Sequence, residues 1–152
     1  MNIHYFTSKQ RGVTLMELLT VIIVVTILAS VAIPSYRRYL QRSQRSDATT
    51  ALLRLAATQE KHLIQYGTYV TATANIPNAH SAGGLGLLAQ SDLGFYDIAV
   101  AARPTGYLAT ATAINGRGQW DDLTCRTFTI DEAGQRRAAS STGTDTTAQC
   151  FR

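Results

Sequence analysis

The stretch KQRGVTLMELLTVIIVVTILASVAI, residues 9–33, decides the fold of this chain. From Val13 to Ile33 it runs for 21 residues, and Glu17 is the one charged residue among them. A helix needs about 20 apolar residues to cross a bilayer, so the segment predicts a membrane-spanning helix. A charge at that depth is unfavourable and by default indicates a functional site. We therefore expect the carboxylate of Glu17 to be kept for a partner.

Three interpretations of this segment compete. The first is a secretory signal that is cleaved at the small residues Ser30-Val31-Ala32. The second is a plain single-span anchor. The third is a helix that stays whole because the chain is cleaved on the cytoplasmic side, after Gly12. The apolar run exceeds the roughly 7–15 residues of an ordinary signal. A plain anchor leaves Glu17 unexplained. The third interpretation accounts for both Gly12 and Glu17.

The residues around this cut resemble the start of a type IV prepilin. The resemblance covers residues 9–45 and rests on two motifs. The first is Gly12 followed by an apolar residue, here Val13, and by Thr14-Leu15-Met16-Glu17-Leu18. The second is Ala32-Ile33-Pro34-Ser35-Tyr36. The resemblance implies that a prepilin peptidase cleaves after Gly12 and methylates the amine of Val13, where the family usually has Phe. It also implies that Glu17 pairs with the N-terminal amine of a neighbouring subunit during assembly. An amine and a carboxylate buried together offset a desolvation cost that neither could offset alone.

The same resemblance implies three parts: a leader over residues 1–12, a transmembrane and assembly helix over 13–34, and a globular head over 35–152. The helical pattern itself continues to Tyr66, since no Gly or Pro occurs between Tyr36 and Tyr66. An amphipathic stripe follows spacings of three and four through Ala48, Ala51, Leu52, Leu55, Gln59, His62, Leu63 and Tyr66. Gly67 is a natural end for the helix. Pro34 is expected to kink it or melt it locally.

The second half of the chain predicts a small antiparallel sheet. Residues 67–94 are interrupted by glycines and are expected to form a loop. Four strands are predicted in the remainder, starting near Tyr96, near Tyr107, at Leu123 and at Gln135, with a turn at Asp131-Glu132-Ala133-Gly134 before the last. Residues 139–149 are expected to be irregular. The predicted class is therefore α+β, similar to the pilin fold: a long N-terminal helix packed against a small antiparallel sheet, with a disulfide-bounded loop at the C-terminus.

Two cysteines, Cys125 and Cys150, lie near the C-terminus. An even count in a membrane-anchored chain is consistent with a disulfide formed in an oxidising compartment. Such a bridge would stabilise a small head by about 3–4 kcal/mol in the chain-entropy model. The alternative is a pair of buried free thiols.

The sequence offers no recognisable catalytic or metal-binding pattern. His4, His62 and His80 lack the cysteine or carboxylate spacing of a metal site, and no nucleophile elbow is present. Asp121-Asp122 could bind calcium but is better interpreted as a solvated turn, because its spacing resembles no EF-hand. We expect no cofactor, no metal and no enzymatic activity.

The charge of the chain is modest. The formal net charge is +4, and loss of Lys9 and Arg11 with the leader leaves +2 on the mature side chains. This is too little to imply nucleic-acid binding by itself. A cluster of arginines, Arg37, Arg38, Arg42 and Arg45, follows the apolar run and would place that flank in the cytoplasm by the positive-inside rule. The prepilin motif and the cysteines favour the opposite orientation.

The resemblance implies a structural subunit of a type IV pilus, similar to PilE-like minor pilins, that supports assembly and thereby twitching motility, adhesion or DNA uptake. Its implied partners are other pilin subunits in the filament, the prepilin peptidase and the assembly platform of the inner membrane. The protein would be a single-pass inner-membrane protein first and part of the extracellular pilus later.

Four alternatives stay open. The nearest are a major pilin and a type II secretion pseudopilin. A membrane-anchored periplasmic binding protein that never polymerises would have no use for Glu17. A DNA-uptake receptor would depend on cations of the head, namely Arg37, Arg38, Arg42, Arg45, Arg54, Arg136 and Arg137.

Overall fold

The computed structural model describes residues 12–80 and 83–151. Their secondary structure consists of helix α1 (Leu15–Tyr66), strands β1 (Tyr96–Arg103), β2 (Gly106–Ala113), β3 (Thr127–Asp131) and β4 (Arg136–Ala139), and the short helix α2 (Thr147–Cys150). Short 3-10 turns cover Thr73–Asn75 and Gly118–Asp121. The structure divides into two units, one up to Arg38 and one from Tyr39 onward. The predicted α+β class, with its long first helix, is confirmed.

The first unit contains the apolar part of α1. Its most apolar 18 residues have a mean hydropathy of 2.6, and none is buried by other parts of the protein. Pro34 lies inside a continuous helix. Its missing N–H leaves the carbonyl of Ser30 without the usual intrahelical donor. The kink expected at Pro34 stays a prediction.

The second unit begins with the rest of α1, which ends where the sequence predicts. Gly67 adopts a φ of +74° and donates its N–H to the Leu63 carbonyl at 2.8 Å, which is a left-handed helix cap. The predicted stripe is buried at Ala48, Leu52, Leu55, Gln59 and His62. Ala51 and Leu63 of the stripe are only partly buried, and Tyr66 is exposed over half of its surface.

The sheet is an antiparallel meander in the order β1-β2-β3-β4. Its buried side chains alternate along each strand and form one core with those of α1. Tyr96, Ile98 and Val100 are buried on β1, as their alternation predicts. The predicted third strand starts too early, since Leu123, Thr124 and Cys125 form a bend and β3 begins at Thr127.

The segment between α1 and β1 is a loop, as predicted, but it contributes to the core. Val70, Ile76 and Leu85 are buried. The Gln59 side chain binds the backbone at the start of the loop. Its Oε1 accepts the Val70 N–H at 2.9 Å, and its Nε2 donates to the Val70 carbonyl at 2.6 Å. Gly84 permits a close approach, since a Cβ there would lie 2.2 Å from the Asn78 carbonyl oxygen.

The C-terminal segment is tied to the sheet by the predicted disulfide. Cys125 and Cys150 are bonded, with their Cα atoms 5.7 Å apart. Residues 139–149 are more ordered than expected: Asp145 pairs with Ala139 in a single antiparallel bridge, and Thr147 begins α2. The predicted disulfide at the C-terminus is confirmed, whereas the expectation that residues 139–149 are irregular is wrong at this bridge and at α2.

Candidate functional site

The first candidate site is the start of α1. Gly12, Val13 and Thr14 precede the helix and are exposed, so the Gly12–Val13 peptide bond lies in non-helical, accessible backbone of the kind that proteases cut. Thr14 caps the helix, because its Oγ1 accepts the N–H of Glu17 at 3.2 Å. Residues 1–11, including His4 and the predicted leader up to Arg11, lie outside the described residues.

Glu17 differs from the other polar side chains of the apolar segment. The hydroxyls of Thr20, Thr26 and Ser30 donate to helix carbonyls at 2.7–2.8 Å, which satisfies them without an outside partner. The Glu17 carboxylate makes no hydrogen bond or ion pair with residues 12–80 or 83–151. In a lipid or protein environment it therefore requires an external donor.

The second candidate site is a groove in the head, between α1 and the C-terminal segment. Its volume is about 220 Å³. We call it the cationic groove and define it by its lining residues Arg42, Arg45, Ser46, Thr49, Leu53, Arg136, Cys150 and Phe151. Three guanidinium groups line it and no carboxylate does.

Strand alternation decides which arginine of β4 reaches the groove. Ala138 is buried on the α1 side of the sheet, and Arg136, two residues earlier, shares that side. Its guanidinium lies 5.5 Å from the ring centroid of Phe151. Arg137 points to the other face, where it borders a separate cavity lined also by Thr127, Thr129 and Asp145. The adjacent arginines thus serve different surfaces.

Arg45 is held at the base of this groove by Asp122. Its Nε and Nη2 donate to the two carboxylate oxygens at 2.7 and 3.1 Å. Oδ1 of Asp122 also accepts the N–H groups of Thr124 and Cys125 at 3.2 and 3.1 Å. Asp122 is only 3% exposed, so the interpretation of Asp121-Asp122 as a solvated turn is wrong for Asp122. The network connects α1 directly to the cysteine loop.

Two aromatic groups border this network. Burial raises the pKa of the Tyr96 phenol well above its usual value, and the nearby Asp122 carboxylate adds to the effect. Trp120 lies under Arg126, whose guanidinium carbon is 4.0 Å from the ring centroid. The Tyr96 hydroxyl itself has no hydrogen-bond partner among the described residues.

The remaining cations proposed from the sequence do not gather at one place. Arg54 forms an exposed ion pair with Asp92 at 2.8 Å. Arg37 and Arg38 belong to the first unit. His62 is buried against the loop, with Nδ1 2.7 Å from the Thr68 carbonyl oxygen, as expected for a packing residue. The sequence hypothesis of a DNA receptor named Arg42 and Arg136 in one larger set of cations, and the fold places these two at the same groove, although no short-range signal joins them.

The ion pair gives a testable stability prediction. Asp122→Asn removes the charge that Arg45 faces and should lower the free energy of unfolding by about 2 kcal/mol, because hydrogen bonds to charged groups are the stronger ones. Thermal unfolding of the full-length protein in a nonionic detergent measures the change. The exposed neighbour supplies the control, since Asp121→Asn should alter stability by less than about 0.5 kcal/mol. Equal effects of the two variants would contradict the role given to Asp122.

Two family models match the chain. One, described as type IV minor pilin ComP, DNA uptake sequence receptor, matches residues 34–129. The other, the prokaryotic N-terminal methylation motif, matches residues 7–33. The first match ends before β4, so Arg136 and Phe151 lie outside it.

Similar curated proteins are type IV pilins. The major pilin PilA of Myxococcus xanthus is 35% identical over 69 residues, which cover 45% of this chain and 31% of that protein. A fimbrial protein of Moraxella nonliquefaciens is 49% identical over 43 residues, 28% of each chain. The major pilin PilE1 of Neisseria gonorrhoeae is 44% identical over 59 residues, 39% of this chain and 33% of that one. The matches thus span about a third of these relatives or less.

Proposed function

Since the chain belongs to the family of type IV minor pilins described as ComP, we propose that it is a subunit of a type IV pilus and that its head binds DNA. The observation that carries the first part is the exposed apolar helix whose Glu17 carboxylate has no partner among the described residues. A helix of this kind is stable in lipid, and its one unsatisfied charge is satisfied by assembly.

The proposed sequence of events starts at the inner membrane. The prepilin peptidase cleaves after Gly12 and methylates the new amine of Val13. The subunit stays in the inner membrane as a single-pass protein, with its head on the periplasmic side, until the assembly platform adds it to the filament. Glu17 then meets the Val13 amine of a neighbouring subunit. The charge pair favours one register of the helices, because any other register leaves a buried charge without a partner.

One observation supports an extracellular position of the head. The disulfide between Cys125 and Cys150 is typical of an oxidising compartment. The head is therefore proposed to act by presenting a surface on the pilus, with DNA uptake as the task favoured by the family description.

We expect the mature protein to begin at Val13 and to carry a methylated α-amine. The physical basis is a small residue, Gly12, in exposed backbone just before an uninterrupted apolar helix. Mass spectrometry of the membrane-extracted protein measures the terminus and its mass. A terminus at Ile33 would contradict the proposal and indicate an ordinary secreted protein.

A further inference from the structure

We propose that the cationic groove holds the phosphate backbone of a DNA duplex, with Arg42 and Arg136 as the contacting residues. The inference rests on the proposed function and adds the place and the chemistry of binding. It depends on the head alone, since every lining residue lies in the second unit.

The charge balance of the groove favours a polyanion. Within residues 12–80 and 83–151, Arg42 and Arg136 have no ion-pair partner, whereas Arg45 is neutralised by Asp122. The second unit as a whole is close to neutral, since residues 39–152 contain ten Lys or Arg and nine Asp or Glu. Two unpaired guanidinium groups at one groove are therefore a local positive field on a nearly neutral unit, which attracts anions to this place.

The size of the groove decides between a small ligand and a chain of phosphates. Its 220 Å³ falls below the roughly 300–1,000 Å³ of pockets that enclose small molecules. A phosphodiester needs less space, because only its oxygens must enter while the sugars and bases stay outside. A cationic groove of this small volume thus fits the backbone of an extended nucleic acid better than a free nucleotide.

The donors come from the guanidinium groups. The hydroxyls of Ser46 and Thr49 already donate to the carbonyls of Ser43 and Ser46. Phe151 supports Arg136 from one side by a cation–π contact, which restricts the movement of the guanidinium group. Arginine is suited to this role because its two parallel N–H groups match two phosphate oxygens. Contacts of this type position a duplex and do not read its sequence.

The test measures DNA binding by the full-length protein in a nonionic detergent. Binding is monitored by the fluorescence anisotropy of a labelled 30-base-pair duplex at several salt concentrations. Arg42→Ala combined with Arg136→Ala should weaken binding about tenfold at low salt and reduce the slope of log K against log salt by about 2, one for each lost phosphate contact. The variant with lysine at both positions should retain most of the slope, because it keeps both charges.

Arg103→Ala combined with Arg117→Ala is the matched control, since both side chains are exposed elsewhere on the head and the change in net charge is equal. An equal loss of affinity in the control, or an unchanged salt slope in the groove variant, overturns the groove as the DNA-binding site. DNA binding by the wild type would still stand in that case. A wild-type protein that binds no DNA overturns both the groove and the proposed receptor function. The same dependence on Arg42 and Arg136 for polyglutamate would show a general anion site and overturn the assignment to DNA.

Discussion

Glu17→Ala should reduce the amount of this protein in sheared pili by two to three decades while leaving its amount in the membrane unchanged. In lipid the carboxylate is unfavourable, so its removal favours residence of the helix in the membrane. In the proposed filament the same substitution would leave the amine of a neighbouring Val13 buried without its partner. Breaking a buried pair costs about 3–5 kcal/mol, which corresponds to roughly a 10²- to 10³-fold loss if assembly is near equilibrium.

Two further variants separate charge from packing. Glu17→Gln keeps the shape of the side chain and should fail nearly as completely, because an amide cannot neutralise the amine. Met16→Ala changes an exposed neighbour on the same helix and should incorporate at close to the normal level. The unfolding temperature of the Glu17→Ala head should equal that of the wild type. Normal incorporation of Glu17→Ala into pili would contradict the proposed charge pair and would favour a plain membrane anchor as the role of the helix.

Replacement of both cysteines by serine should destabilise the head by about 3–4 kcal/mol. The bridge closes a loop with a sequence separation of 25 residues, and the chain-entropy model gives this range for a loop of that length. For a head of this size the loss corresponds to a fall of roughly 10–15 °C in the unfolding temperature. Thermal unfolding of the oxidised protein and of the double variant, both full-length in detergent, measures the difference.

Reduction of the wild type with dithiothreitol is the control for the substitutions themselves, and it should lower the unfolding temperature to a similar extent. The variant should also bind DNA more weakly, because Cys150 holds Phe151 beside Arg136. Unfolding temperatures that do not change on reduction would contradict the stabilising role of the bridge. Free thiols on both cysteines in protein taken from the periplasm would reopen the question of topology.

The sequence predicts the elements whose signals are local. The apolar run and Gly67 predict the length of α1 to within a few residues, because hydrophobicity and a left-handed cap act within one segment. The alternation of Tyr96, Ile98 and Val100 predicts β1 for the same reason. β3 begins later than the sequence predicts for a physical reason. Asp122 accepts the N–H groups of Thr124 and Cys125 and keeps that segment out of the sheet.

The cationic groove could not be predicted in the same way. Arg45 and Asp122 are 77 residues apart, and Arg42 and Arg136 are further apart still. Their proximity depends on how the sheet packs on α1. One part was accessible in principle: neighbouring residues of a strand point to opposite faces, so a strand at Gln135 predicts that Arg136 and Arg137 serve different surfaces.

The central claim is tested most directly by quantitative mass spectrometry of sheared, purified pili. We predict a peptide that begins at methylated Val13, present at a level well below that of the dominant subunit, as a minor pilin requires. Detection of the protein in the membrane fraction with none in the pili would contradict the claim.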